Sequence, residues 1–195
     1  MLRLRPGEAV TATDGRGSWR WCTLAPGGLE PAGDVVVTAP SEPSITVAFA
    51  LVKGDRPEWI VQKLTELGVD RIVPFESARS VVRWLGTAKV EHHVSRLRKV
   101  AREAAMQSRR LFLPEVTTVC AVAEVFADPA MAAAEPGGER PTGAITAIAI
   151  GPEGGFTSAE LALANRHISL PGGVLRAETA AIAAGVVLAS ARATG

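Results

Sequence analysis

From Ile45 onward the apolar residues alternate between two patterns. A continuous apolar run at 45–52 predicts a buried strand of a parallel sheet, and 69–75 and 145–150 read as two further strands. Between them lie stripes of helical spacing. Residues 58–67 predict a helix that stops at Gly68, and residues 89–108 predict a long one. The apolar positions of the long helix are Val90, Val94, Leu97, Ala101 and Ala104. They step by four, three, four and three and mark one face, so Arg96, Lys99 and Arg102 are expected to face outward. A short helix at 121–127 and a strand near 131–134 follow, and then a Pro/Gly-rich loop at 135–141. Thr157-Ser158-Ala159-Glu160 is a capping box, and Phe156 and Leu161 stand at the positions of a hydrophobic staple, so a helix starts there. A last helix at 178–193 is apolar nearly all round, which predicts burial between layers or at a subunit interface.

The first residues differ. Strand-like stretches at 8–12 and 18–24 flank Asp14-Gly15, a hairpin turn signal, and 34–38 reads as a third short strand. Pro40-Ser41-Glu42-Pro43 breaks the pattern. The organisation expected is a small β unit over 1–39, a linker at 40–44 and an α/β domain over 45–195.

Composition narrows the chemistry. Cys22 and Cys120 are far apart, and His92, His93 and His167 lack metal-ligand spacing, so neither a metal site nor a disulfide framework is indicated. No apolar leader precedes the first strands. The most apolar segment, 179–191, falls short of the roughly 18 residues a membrane span needs. A cytoplasmic protein with no metal and no membrane contact is expected. The net charge of +1 conceals a segment, 79–110, that carries +7 and leaves −6 for the rest. Such a patch suits a polyanion, or it is a solvated helix face.

The 151–156 turn between a strand and a capped helix is a common place for a ligand in open sheets, though a plain tight turn reads the same way. It is neither a P-loop nor a dinucleotide fingerprint, and no GxSxG elbow is present.

Gly151-Pro152-Glu153-Gly154-Gly155-Phe156, followed by Leu175-Arg176-Ala177-Glu178-Thr179-Ala180, closely resembles the RsmE family of ribosomal small-subunit RNA uridine N3-methyltransferases. Lys63-Leu64-Thr65-Glu66-Leu67-Gly68-Val69, Ser77-Ala78-Arg79-Ser80-Val81 and Glu103-Ala104-Ala105-Met106-Gln107-Ser108-Arg109-Arg110 agree with it in order. The resemblance spans about 45–195. It implies a SPOUT-type parallel sheet with a C-terminal trefoil knot, a homodimer, and S-adenosyl-L-methionine held by the knot loops. The substrate implied is 16S ribosomal RNA within the 30S subunit.

By the same resemblance, Ile150, Gly151, Pro152, Gly154 and Gly155 would line the cofactor, and Leu170, Val174, Leu175, Arg176 and Ala180 would enclose it. Ala134 and Glu135 fall where relatives carry a cofactor-facing strand end, often His-Glu, so Ala134 is a departure. Pro171 is another, since proline removes an N–H donor from the loop. Residues 1–39 resemble the later strands of the family's PUA-like barrel, so a truncated barrel is expected. Loss of the uracil N3 proton spreads negative charge onto O2 and O4, for which arginine is suited. Arg176, Arg79 and Arg109 are the catalytic candidates, with Glu178 as proton acceptor, orienter of Arg176 or simply a favourable charge at a helix start. The RNA contacts expected are Arg3, Arg5, Arg79, Arg83, Arg96, Lys99, Arg102, Arg109 and Arg110. The alternatives are a SPOUT enzyme acting on another RNA such as tRNA, and a non-catalytic RNA-binding assembly factor.

Overall fold

The computed structural model describes residues 5–193; Arg3 lies outside them. Strands β1 (Ala9–Thr13), β2 (Ser18–Ala25), β3 (Gly28–Pro31) and β4 (Val36–Val37) form a small antiparallel sheet, β2 pairing with the other three. The hairpin signal at Asp14-Gly15 is realised, and the Asp14 carboxylate accepts the Arg16 and Ser18 amides at 2.7 and 3.1 Å. The tip of this hairpin docks on the body. Gly17 N–H donates to Leu111 C=O at 3.2 Å, and Leu113 N–H donates to Gly15 C=O at 2.9 Å. At Gly17, with φ +102°, a Cβ would stand 2.4 Å from the Phe112 ring, so only glycine lets the hairpin come this close.

The body alternates strands and helices: β5 (Thr46–Ala50), α1 (Arg56–Glu66), β6 (Arg71–Glu76), α2 (Thr87–Gln107), β7 (Glu115–Val116), β8 (Cys120–Ala121), α3 (Val122–Phe126), β9 (Met131–Glu139), β10 (Ala147–Ile150), α4 (Ser158–Leu161), β11 (Arg166–Ile168) and α5 (Ala177–Ala193). The seven strands form one parallel sheet in the order β11-β9-β10-β5-β6-β7, with β8 also on β6. The apolar runs are central strands, as expected of segments covered on both sides.

Side-chain size divides the two faces. Val47, Phe49, Leu51, Ile148 and Ile150 point one way, toward Ile60 and Leu64 of α1, Leu97 of α2 and Leu188 of α5. Their neighbours Ala48, Ala50, Ala147 and Ala149 point the other way, to Phe75, Phe126 and Phe156. The period of two along a strand thus gives the long helices the bulky face and the short helices α3 and α4 an alanine floor. No helix among the described residues is long and apolar enough to cross a membrane.

Two expectations are corrected. The loop expected at 135–141 is mostly strand, because β9 runs on to Glu139 and pairs with β11, a strand not foreseen. Pro136 and Gly137 are tolerated there because they sit where the β9–β11 register shifts. The helix expected after Thr157 forms, as a single turn at Ser158–Leu161. Arg110, expected on RNA, is turned inward: its Nη1 donates to Thr65 C=O at 3.0 Å and Val69 C=O at 2.7 Å, and its Nη2 to Asp70 at 3.2 Å.

Asp70 is the meeting point of that end of the sheet. Besides Arg110 it accepts Arg192 of α5 at 2.6 Å and the Ile45 amide at 3.0 Å, and Arg192 also donates to Gly68 C=O at 2.8 Å. Both guanidiniums are largely buried. Truncating Asp70 to Ala leaves two largely buried guanidiniums without their counter-charge and should cost about 2 to 4 kcal/mol. Urea unfolding at neutral pH checks this, and a midpoint equal to wild type would show that Asp70 does not anchor the three segments.

Candidate active site

The strands of the body are parallel, so the loops that follow β5, β6, β10 and β11 gather at one end of the sheet, where open α/β folds place their ligands. The 151–156 loop leaves β10 and closes on itself: Gly155 N–H donates to Pro152 C=O at 2.8 Å, with Gly155 at φ +69°. Phe156 anchors it, buried and stacked on Phe75 with ring centres 6.2 Å apart. The capping box forms as the sequence predicts. Glu160 N–H donates to Thr157 Oγ1 at 3.2 Å, and Thr157 N–H donates to Glu160 Oε2 at 2.7 Å.

Glu160 also reaches where the local sequence gives no hint. Its other oxygen, Oε1, accepts Ser77 Oγ–H at 2.9 Å and the Ala78 amide at 2.8 Å. From the opposite side, Arg79 Nη1 donates to Gly154 C=O at 2.8 Å and Phe156 C=O at 3.1 Å. The loop after β6 and the loop after β10 are therefore held to each other by four bonds. Burial pushes the Glu160 carboxyl up, but the amides of Thr157 and Ala78 with the Ser77 and Thr157 hydroxyls outweigh it, and the pKa lies below the ordinary glutamate value.

A second junction lies across the 151–156 loop. Arg56, at the start of α1, donates to Glu153 Oε1 at 2.9 Å and stands 3.6 Å from Glu178 Oε2 in the first turn of α5. Glu178 is buried at 8% exposure, and that oxygen accepts no hydrogen bond. Its charged neighbour is thus Arg56, which nothing in the sequence pattern singled out: one arginine in a Gly-Asp-Arg turn carries no periodic or spacing signal.

The remaining expected residues are placed unevenly. Ala134, Leu170 and Ala180 are half-buried against the core, and Ile150 and Pro152 are buried, so Ile150 can offer a ligand its backbone only. Glu135, Gly151, Gly155 and Leu175 are half-buried, while Gly154, Pro171 and Arg176 are exposed and Val174 is 98% exposed. Arg109 is not brought here by its own chain. Helix α2 runs back against the strands, so Arg109, just beyond its C-terminus at φ +55°, stands at the Asp70 end of the sheet. Arg96 is not free either, for its Nε pairs with Glu58 at 2.9 Å. Arg5, Arg83, Lys99 and Arg102 are exposed.

Residues 40–189, which contain this sheet and its braced glycine loop, match the RNA methyltransferase domain family. "Ribosomal RNA small subunit methyltransferase E" of Bacillus subtilis (strain 168) is 30% identical over 207 residues, covering 92% of this chain and 80% of that one. The protein of the same name from Mycobacterium bovis is 34% identical over 205 residues, covering 93% and 78%. With this match the chain belongs to the ribosomal RNA small subunit methyltransferase E family. Among solved structures, the Neisseria gonorrhoeae family member bound to S-adenosyl methionine superposes with a TM-score of 0.82 at 27% identity, covering 95% of this chain and 84% of that one. The SpoU methyltransferase AviRb of Streptomyces viridochromogenes shares the fold at a TM-score of 0.54 and 15% identity, covering 83% and 68%.

The depressed pKa of Glu160 has a measurable consequence. A carboxyl with a lowered folded pKa contributes stability that is full above its unfolded value and is lost as pH falls through the folded one. Glu160→Gln should be less stable than wild type by roughly 2 kcal/mol at pH 7. The gap between the two urea midpoints should close as pH falls from about 5 toward 3. A gap that stays constant over that range would mean the carboxylate charge is not what holds the loops.

Proposed function

We propose that this chain transfers a methyl group from S-adenosyl-L-methionine to N3 of a uridine in small-subunit ribosomal RNA. The observation that carries the reading is the open backbone of the braced glycine loop. A Cβ at Gly155 would meet nothing within 4 Å, and one at Gly154 would touch only the stem of Arg79. Gly173 is equally open on the other loop. Backbone exposed in this way, beside half-buried Ala134, Leu170, Leu175 and Ala180, fits a nucleoside-bearing cofactor. When bound, the cofactor supplies an electrophilic methyl on a sulfonium.

The chain supplies the rest. Arg176, exposed where the last loop enters α5, is the cation for the charge that develops on the uracil oxygens. Arg79 has Nη1 committed to two loop carbonyls, so its part is to position the glycine loop. Arg83, Lys99 and Arg102 contact phosphates, which orient RNA without choosing the base. The N-terminal sheet, docked through residues 15–17, acts as the PUA-like RNA-docking unit of 1–39, joined by 40–44 to the methyltransferase domain. The order β11-β9-β10, with β9 between strands that follow it in the chain, supports the trefoil-knotted path. The exposed Val174 and the half-exposed Val186 support a homodimer that covers them. The assembled 30S subunit in the cytoplasm is the natural substrate.

Mass spectrometry of nucleosides from 30S subunits incubated with labelled cofactor should show labelled 3-methyluridine; label on tRNA alone would favour the alternative substrate. Gly154→Val should keep the fold, since Gly154 needs no positive φ, and lose cofactor binding by calorimetry. Undiminished binding would remove this loop from the site.

Docking and chemistry should separate. Lys99→Ala with Arg102→Ala should weaken RNA binding and lower its salt slope by roughly one unit per lost phosphate contact, while saturating RNA restores the rate. Arg176→Ala should instead lower the single-turnover rate at saturating RNA. Full rate in Arg176→Ala would take it out of the chemistry.

A further inference from the structure

We propose that Arg56 is a positioning residue of the methyl-transfer site, a clamp that fixes the 151–156 loop relative to the first turn of α5. The proposal rests on the cofactor site described above and assigns it a member outside the matched Gly-rich and α5 motifs.

The two segments belong to different loops, and their relative placement decides whether a ligand between them fits. Arg79 and Glu160 hold the glycine loop to the 77–80 loop, but neither reaches α5. Arg56 has contacts on both sides. Its guanidinium lies 2.9 Å from Glu153, inside the glycine loop, and 3.6 Å from Glu178, at the start of α5. Arg56 itself is fixed by its place at the first residue of α1, whose apolar face, Ile60, Val61 and Leu64, is fully buried.

The arrangement is poor as a stability device. Arg56 and Glu153 are more than one-third exposed, and exposed ion pairs add little to stability. Glu178 is the reverse, a buried carboxylate with one oxygen lacking any hydrogen bond. A buried acceptor left unsatisfied is unfavourable for folding and is retained where geometry matters more than stability. A rigid planar cation shared between an exposed and a buried carboxylate sets a distance between the two.

The test uses the full-length protein with S-adenosylmethionine as probe, read by calorimetry and by steady-state methylation of small subunits. Arg56→Met should raise the cofactor Kd and KM by about tenfold or more, with kcat at saturating cofactor within about twofold of wild type. Arg56→Lys, which keeps the charge without the planar fork, should recover part of the affinity. Glu153→Gln should also weaken binding. The double variant Arg56→Met with Glu153→Gln should be no worse than the poorer single one, because both remove the same link. Should Arg56→Met fail to fold, the Lys and Glu153→Gln variants carry the test. Unchanged cofactor affinity in Arg56→Met, additive effects in the double variant, or a defect confined to RNA affinity would each overturn the clamp. Failure of the wild-type protein to bind the cofactor would instead overturn the proposed site itself.

Discussion

Glu160 has two oxygens, and both are fully engaged: one by Thr157 at the start of its own helical turn, the other by Ser77 and Ala78 from the loop after β6. The arrangement of the candidate site follows from that carboxylate. A four-residue helix has too little apolar face to hold itself in place. Its position comes from Phe156 beneath it and from Glu160 reaching sideways. With both loops tied to one buried charge, the glycine backbone between them is presented in a single conformation, and preorganisation of this kind is what a binding loop requires.

The sheet below is built for the same end. Its alanine face lets Phe75, Phe126 and Phe156 approach closely, and these three rings support the glycine loop from underneath. The bulky face gives α1 and α5 a deep seat, which fixes Arg56 and Glu178 as firmly as their helices. One strand, β5, contributes to both faces through alternate residues, so the two halves of the site share a single rigid support.

Much of this was legible in the sequence because it is local. The capping box, the glycine after α1, the hairpin turn and the apolar strand runs each depend on residues a few positions apart. What was not legible depends on direction and distance. Arg96, Arg109 and Arg110 read alike as part of a basic segment, yet one pairs with Glu58, one stands at the far end of the sheet and one is folded inward on Asp70. Charge is visible in a sequence, but where a guanidinium points is decided by elements remote along the chain. The second half of β9 reads as a loop for a related reason. Pro136 and Gly137 are breakers by local rule and stand in the register shift, and only β11, more than twenty residues later, supplies the partner that takes up Glu139 beyond them. Gly138 shows how close that partner comes, since a Cβ there would lie 2.7 Å from the backbone of Ile168.

The shared carboxylate at Asp70 also bears on the order in which the chain becomes whole. Ile45, Asp70 and Arg110 can meet as soon as the first half of the body has been synthesised, but Arg192 emerges from the ribosome after every group it binds. Until it does, α5 lacks its distal anchor, and the bulky face of the sheet, with Ile148 and Ile150, lacks its cover. Domains fold as units during synthesis, and unfinished ones expose apolar surface. The apolar face around Ile148 and Ile150 therefore stays uncovered until α5 has emerged, and the Arg192–Asp70 contact can close only then.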